Sequence, residues 1–295
     1  MSASTNSDST AERPNAPGRW RKWLPATLQQ LLLAGAALVM LVPFYWMVIS
    51  SLKTNTQIFA QPVDWWPSPL QWGNYKEALT YPGFNFLRLL WNSIYYSGLT
   101  TLGTVMSSAL VGYGLARFRF PGRSLLFSVT IATLIIPGVV TFIPTYVLFQ
   151  KVGLLGSYAP LILPAFLGNA FWIFMLRQFF LGIPRDLIDA ARMDGANELR
   201  IFWEIVLPLI KPALIVVAVF TLMTTWNDFF GPLIYLSDPD SYPLSLGLYS
   251  FRAQRSTEWA MLMSASVLVT LPVIALFAVG QRYFMTGIKT TGLVR

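Results

Sequence analysis

Residues 24–52, LPATLQQLLLAGAALVMLVPFYWMVISSL, carry no charged side chain, over more than the roughly 20 residues an α-helix needs to cross a bilayer core about 30 Å thick. Uncharged runs at 89–116, 124–150, 152–176 and 259–281 are also long enough. A sixth run, 212–237, is interrupted only by Asp228. Together they predict an all-α, polytopic integral membrane protein with six transmembrane helices. The first run follows Arg19, Arg21 and Lys22, as in a signal peptide, but it stays apolar too long for an h-region and ends in Trp46 and Lys53. It therefore reads as an uncleaved span.

Composition supports the same class. The 295 residues are 55% apolar and 12% charged, whereas a soluble chain is about a quarter charged. The chain contains no Cys, which excludes disulfides, thiolate nucleophiles and Cys zinc sites, and no His, which removes the usual neutral-pH proton shuttle and the commonest metal ligand. A secondary transporter with ion coupling needs buried charge near the midplane. Five of the six runs have none. An intramembrane enzyme would want paired carboxylates within the spans, and these are missing as well.

The net charge of +8 has a direction. With the N-terminus inside, 15 Lys and Arg and 7 acids fall on inner segments, against 6 and 6 on outer segments. The excess of basic residues on inner loops places both termini in the cytoplasm. The anionic inner leaflet, and not nucleic acid, accounts for the positive balance. The organisation expected is a disordered cytoplasmic tail at 1–23, the first span at 24–52, an ordered outer loop at 53–87, a five-helix core at 88–284 and a cytoplasmic tail at 285–295. The outer loop carries Trp65, Trp66, Trp72, Tyr75 and Tyr81, the composition of a membrane-interface belt. Pro137, Pro144, Pro160, Pro164 and Pro272 fall inside spans, where they shape packing or act as hinges.

One polar connection is too long and too patterned for a plain turn: IPRDLIDAARMDGANELRIFWEIVLPLIKP, residues 183–212. Pro184 suits a first helical position and Asp186 the positive end of a helix. Leu187, Ile188, Ala190 and Ala191 form an apolar stripe flanked by Arg185, Asp189 and Arg192. Gly195 supplies the left-handed backbone that ends this short helix, and Asn197 caps a second one from Glu198. The second helix is expected to carry Leu199, Phe202, Trp203 and Val206 on one face. Periodicity leaves two roles open, an interfacial helix on the inner leaflet or a knob for a groove on another protein.

The spacing resembles the "EAA" loop of ATP-binding-cassette importer permeases: Glu-Ala-Ala, three residues, Gly, nine residues, then Ile-x-Leu-Pro. Here Asp189-Ala190-Ala191 precedes Gly195, Ile205, Leu207 and Pro208 at those intervals, with Asp in place of Glu. Other segments resemble the carbohydrate-uptake branch, similar to the maltose system's second permease subunit with its MetI-like transmembrane domain. They are GLARFRFPG at 114–122, FMLRQFF at 174–180, ARMDGA at 191–196, WND at 226–228 and QRYFMTG at 281–287.

The resemblance implies a permease subunit of an importer in a bacterial or archaeal cell membrane, taking up a carbohydrate or, alternatively, glycerol phosphate or another solute. No Gly-x4-Gly-Lys-Ser/Thr pattern occurs, so the chain has no phosphate cradle of its own; ATP and Mg belong to a partner ATPase dimer. Asp189, Ala190, Ala191, Arg192, Asp194 and Gly195 would form the helix that couples to that ATPase. A second permease subunit, related or identical, and an extracytoplasmic solute-binding protein would complete the assembly. The 237–257 connection would reach toward the binding protein or stand in solvent, and residues 287–295 would lie near the ATPase. No catalytic residue, metal or cofactor is implied for this chain. Asp228, with Trp226 and Asn227, stands near the outer end of its span, either capping the chain after the break at Gly231-Pro232 or contacting the solute path. Trp226 would stack on a sugar face or anchor the interface.

Overall fold

The structure is a computed structural model and describes residues 26–81, 84–254 and 258–290. All regular structure among them is helical. In chain order the elements are α1 (Ala26–Ser51), α2 (Asn55–Ile58), α3 (Gly73–Thr80), α4 (Phe86–Arg117), α5 (Arg123–Thr133), α6 (Gly138–Lys151) and α7 (Ala159–Ile162). They continue with α8 (Ala170–Gly182), α9 (Arg185–Met193), α10 (Glu198–Arg200), α11 (Leu207–Leu209), α12 (Lys211–Trp226), α13 (Phe230–Tyr235), α14 (Leu244–Gln254) and α15 (Trp259–Thr290). A 3-10 turn, Leu163–Leu167, follows α7, and a π segment, Ile201–Val206, joins α10 to α11. The chain divides into two compact units, 1–46 and 47–295. In the first, the described part of α1 exposes Leu33, Leu38, Val39 and Met40, as a helix apolar on all sides does when its solvent is lipid.

The second unit is organised around α4. Thr104, Ser108, Gly112 and Ala116 recur every fourth residue and are all buried, so they form one stripe of small side chains along the helix. Such a stripe lets two helix backbones approach closely in lipid. Its partner is α8: a Cβ at Gly112 would lie 3.3 Å from the Arg177 amide nitrogen and 3.3 Å from the Ile173 carbonyl oxygen. Two apolar cores follow. One holds Tyr113, Leu176, Phe180, Ile188, Ile201, Phe202, Val206 and Val217. The other gathers Ala78, Phe84, Leu89, Trp226, Leu244 and Ala265.

Three stretches are long and apolar enough to cross a membrane: Thr27–Ser51, Phe86–Arg117 and Ala159–Gly182. Two bent pairs raise the number to five if each counts as one span. The run at 124–150, expected as one span with Pro137 and Pro144 inside it, is one of these pairs, α5 and α6, meeting at 100°. Pro137 is the cause: it donates no amide hydrogen and sits extended at φ −61°, ψ 132° just before α6. The run at 152–176 is shifted toward its C-terminus. Gly153 and Gly156 take positive φ in the turn after α6, and α8 begins only where Asn169 accepts from the Phe171 and Trp172 amides. The other bent pair joins Glu198–Leu209 to α12 at 79°. In α15, the described apolar segment is Trp259–Ala275, shorter than a full span.

The 53–87 segment is knitted to its surroundings. Thr54 and Gln57 form a reciprocal capping box at α2, and Asn74 donates to the Ser51 and Lys53 carbonyls at 2.9 and 2.8 Å. Asn55 accepts from the Ala260 amide and donates to Glu258, both at 2.9 Å. Trp65, Trp66 and Trp72 stay exposed, as an interface belt requires. The 237–257 connection is not a free loop: it contains α14, whose Leu244 and Leu246 are fully buried. The expected tail at 1–23, and residues 255–257 and 291–295, lie outside the described residues. Helix α15 runs to Thr290, past the boundary at 285 that the charge pattern suggests.

The expected face of the second helix in the 183–212 segment needs correction. Phe202 and Val206 are buried, but Leu199 and Trp203 are exposed, at 67% and 52%, and Ile201 takes their place inside. The wider turn of the π segment rotates the side chains relative to an α-helical stripe. Phe202 rests against Tyr113 with ring centroids 5.0 Å apart. Phe202→Ala is therefore expected to cost about 3 kcal/mol, and Trp203→Ala no more than about 0.5 kcal/mol; thermal unfolding of the detergent-extracted protein, followed by intrinsic fluorescence, checks the contrast.

Candidate functional site

The 183–212 segment builds a two-sided structure. Pro184 stands at the N-cap, one residue earlier than expected, and α9 runs from Arg185 to Met193 with Asp186 in its first turn. The apolar stripe divides. Ile188 and Ala191 are buried in the core with Tyr113 and Phe180, while Leu187 and Ala190 face outward. Met193 is 88% exposed beside them. One face thus fastens α9 to the body, and the other presents small and flexible apolar side chains next to Asp186 and Asp189.

Gly195 ends α9 at φ +82° and Asn197 accepts from the Arg200 amide at 2.8 Å, starting α10. Arg192 clasps the two helices. Its guanidinium donates to Asp189 at 2.9 Å and to Glu198 at 2.8 Å, and the Tyr113 hydroxyl donates to the same Glu198 at 3.3 Å. The hydrogen bond to Glu198 raises the Arg192 pKa above the usual arginine range, so the clasp stays cationic. Asp189 and Arg192 are well exposed, and that pair contributes at most about 1 kcal/mol. Asp194 is the exposed C-cap residue of α9.

Arg117 belongs to this site, although its sequence role was only that of an orienting charge. It stands at the last position of α4, and its guanidinium donates to the Phe180 carbonyl and, at 2.5 Å, to the Ile183 carbonyl. Both carbonyls lie at the C-terminal end of α8, where a cation is favoured, and the Phe180 carbonyl also accepts the Ile183 amide. Arg117 therefore fixes the point from which α9 departs. The basic residue ending α4 in GLARFRFPG is the signal that could have suggested it.

A second feature lies deeper. A cavity of 390 Å³ is lined by Thr100 and Thr104 of α4, Asn169 and Trp172 of α8, and Thr221, Thr224 and Thr225 of α12. The Thr100 and Thr221 hydroxyls are buried without a hydrogen-bond partner. Thr221 stands ten residues after Lys211, roughly 15 Å along the helix, half a bilayer core. The threonines were not singled out from sequence, although their one-turn spacing on an otherwise apolar helix was visible.

The residues that were singled out there lie elsewhere. Trp226 is only 6% exposed and belongs to the core around Leu244. Asn227 is exposed and donates to the Met223 carbonyl at 2.8 Å. Asp228 accepts from the Tyr96 hydroxyl at 2.6 Å and from the Gly231 amide at 3.1 Å, while its own carbonyl accepts from Ser245 at 2.6 Å. Both carboxylate oxygens are engaged within the fold, and one of them caps the turn into α13.

An apolar helical body with an amphipathic helix fastened to it and a threonine-lined cavity between its helices suits a transmembrane transport domain. Residues 108–289 match the family of binding-protein-dependent transport system inner membrane components, and the chain belongs to that family. It is 34% identical over 259 residues to the arabinooligosaccharides transport system permease protein AraQ of Bacillus subtilis (strain 168), spanning 87% of this chain and 92% of the relative. Identity to the sn-glycerol-3-phosphate transport system permease protein UgpE of Yersinia enterocolitica is 32% over 275 residues, 91% and 97% of the two chains. Among solved structures, a bacterial ABC transporter involved in the import of the acidic polysaccharide alginate superposes with a TM-score of 0.77 at 26% identity, over 88% of this chain and 95% of that one. The two relatives are named as permease proteins of transport systems, and the solved structure as an ABC transporter.

The turn at Gly195 provides a test. A Cβ there meets nothing within 4 Å, so any cost comes from the left-handed backbone alone, about 1–2 kcal/mol and more for a β-branched residue. Gly195→Val is expected to leave the protein in the membrane but to lower solute-stimulated ATP hydrolysis of the assembled transporter several-fold. Gly195→Asn, which tolerates the left-handed region, should retain most of it.

Proposed function

We propose that this chain is one of two permease subunits of an ATP-driven importer that takes up a carbohydrate delivered by an extracytoplasmic binding protein. The carrying observation is the two-sided α9, with Ile188 and Ala191 locked into the core and Leu187, Ala190 and Met193 facing outward. A partner ATPase that grips the outer face moves the body to which the inner face is fastened. ATP and Mg reside on that partner, whose dimer requires a second permease, related or identical. The topology proposed is six crossings with both termini cytoplasmic, in a bacterial or archaeal cell membrane. The bent pair α5–α6 then makes one crossing, and α15 the last.

Within this chain the threonine-lined cavity is the segment of the solute path. Its hydroxyls suit a polyhydroxy solute, and Trp172 offers an aromatic face beside them. The relative named for sn-glycerol-3-phosphate makes an anionic solute the second reading. The cavity lining contains no Lys or Arg, and this favours the neutral sugar.

The absence of natural cysteine makes the topology directly readable. A single Met193→Cys variant, expressed without the partner ATPase that would cover it, is expected to react with a membrane-impermeant maleimide in inside-out vesicles only, and Trp66→Cys in right-side-out cells only; the reverse pattern overturns the orientation. The ATPase and the second permease should copurify with the wild-type chain. For the solute path, Thr221→Val preserves side-chain volume while removing a hydroxyl. It is expected to lower sugar uptake on the order of fivefold, about one hydrogen bond, without changing the amount of assembled complex; unchanged uptake would place the path elsewhere.

A further inference from the structure

The GLARFRFPG segment after α4 takes part in neither the solute cavity nor the outward face of α9, yet it brings an unusual charge cluster together. A cavity of 270 Å³ is lined by Arg117, Arg119, Arg123, Arg185 and Arg192 with a single acid, Asp189. That acid is already paired with Arg192. Among the described residues neither Arg119 nor Arg185 has an ion pair. The Nε of Arg117 is buried with no hydrogen-bond partner, although its Nη2 is satisfied. Arg192 is paired and Arg123 donates to the Phe118 carbonyl at 3.1 Å, but Arg117, Arg119, Arg123 and Arg185 converge with no carboxylate of their own among the described residues, around an orphaned buried donor, where their mutual repulsion disfavours the arrangement unless an anion sits among them.

Planar guanidinium forks match the oxygens of a phosphate group. The surroundings specify what carries it. Arg119 and Arg123 also line an adjoining, more open depression with Phe120, Gly122, Ser124 and Leu125. Phe118, Leu126 and Val129 are exposed next to these residues in sequence. A polar, cationic hollow that opens onto an apolar wall suits an amphiphile with an anionic head. We propose that this cavity binds the phosphate headgroup of an anionic phospholipid of the inner leaflet, with its acyl chains along α5. The lipid would bridge the end of α4 to α9, so the resting position of the coupling helix would depend on its presence. This inference rests on the cytoplasmic placement of α9 proposed above.

The test uses the whole transporter, purified with its partner subunits. The variant is Arg119→Gln with Arg185→Gln, two residues that hold no ion pair in the fold, and Lys211→Gln serves as a basic-residue control outside the cavity. Native mass spectrometry is expected to find phosphatidylglycerol retained by the wild type and the control and lost from the double variant. In phosphatidylcholine nanodiscs with increasing phosphatidylglycerol, the half-saturating content for solute-stimulated ATPase activity should rise on the order of tenfold in the double variant. Equal lipid retention by all three proteins overturns the proposal. If inorganic phosphate restores activity in pure phosphatidylcholine, the cavity is a soluble-anion site and the lipid assignment fails. If the double variant loses its ATPase subunit, the arginines face a protein carboxylate, and the proposal fails as well. An Arg119→Cys chain that reacts from outside while lipid dependence persists would reject the orientation and keep the site.

Discussion

The close approach of α4 to α8 governs the inner half of the molecule. At Gly112 the two backbones leave no room for a side chain larger than hydrogen without a shift, and the buried stripe Thr104, Ser108, Gly112 and Ala116 extends that contact over three turns. Helices in lipid gain little from apolar burial against one another, so packing and hydrogen bonds must hold them. The consequence appears at the end of the stripe. Only with α4 this close does Arg117 reach the Phe180 and Ile183 carbonyls. Tyr113, one turn earlier, then reaches both Glu198 and the ring of Phe202. The position of α9 is thus a consequence of four small residues on another helix.

Much of this was legible in the residues, for identifiable reasons. Lipid exclusion of charge marks where chains cross, and Gly195, Asn197 and Pro184 mark helix ends because each does something backbone geometry requires. What escaped was of two kinds. Uncharged length says nothing of where a helix breaks: Pro137 was a visible place for a kink, but the size of the bend there and the shift after Gly153 and Gly156 do not show in a count of apolar residues. Threonine is the second kind. It is neither charged nor strongly apolar, and an unpartnered hydroxyl becomes noticeable only when Thr100 and Thr221 are found on opposite walls of one cavity. The stripe on the second helix of the 183–212 segment misled because it assumed an α-helical period where Ile201–Val206 is a π turn.

The two halves of the site are connected by a single stretch of chain, and its construction constrains how a movement at α9 travels. From Glu198 to Leu209 the chain is fastened to α9 through the Arg192 clasp and through the shared core of Ile188, Ile201, Phe202 and Val206. It then turns by 79° into α12, whose Thr221, Thr224 and Thr225 line the cavity. The core continues across the bend, because Ala213 and Val217 belong to it as well. A densely packed apolar cluster does not deform continuously. The bend at Ile210 is therefore held as an angle bracket and does not act as a free hinge. With that core intact, α9 and the start of α12 belong to one packed body, and Thr221 stands roughly 15 Å farther along the helix. Two other breaks in the helices lie at Pro137, where α5 meets α6, and at Gly168, whose positive φ separates the 3-10 turn from α8. Both precede the bracket in the chain, and α5, α6 and the 3-10 turn beside them bury no residue, in contrast to the packed core that spans the bracket.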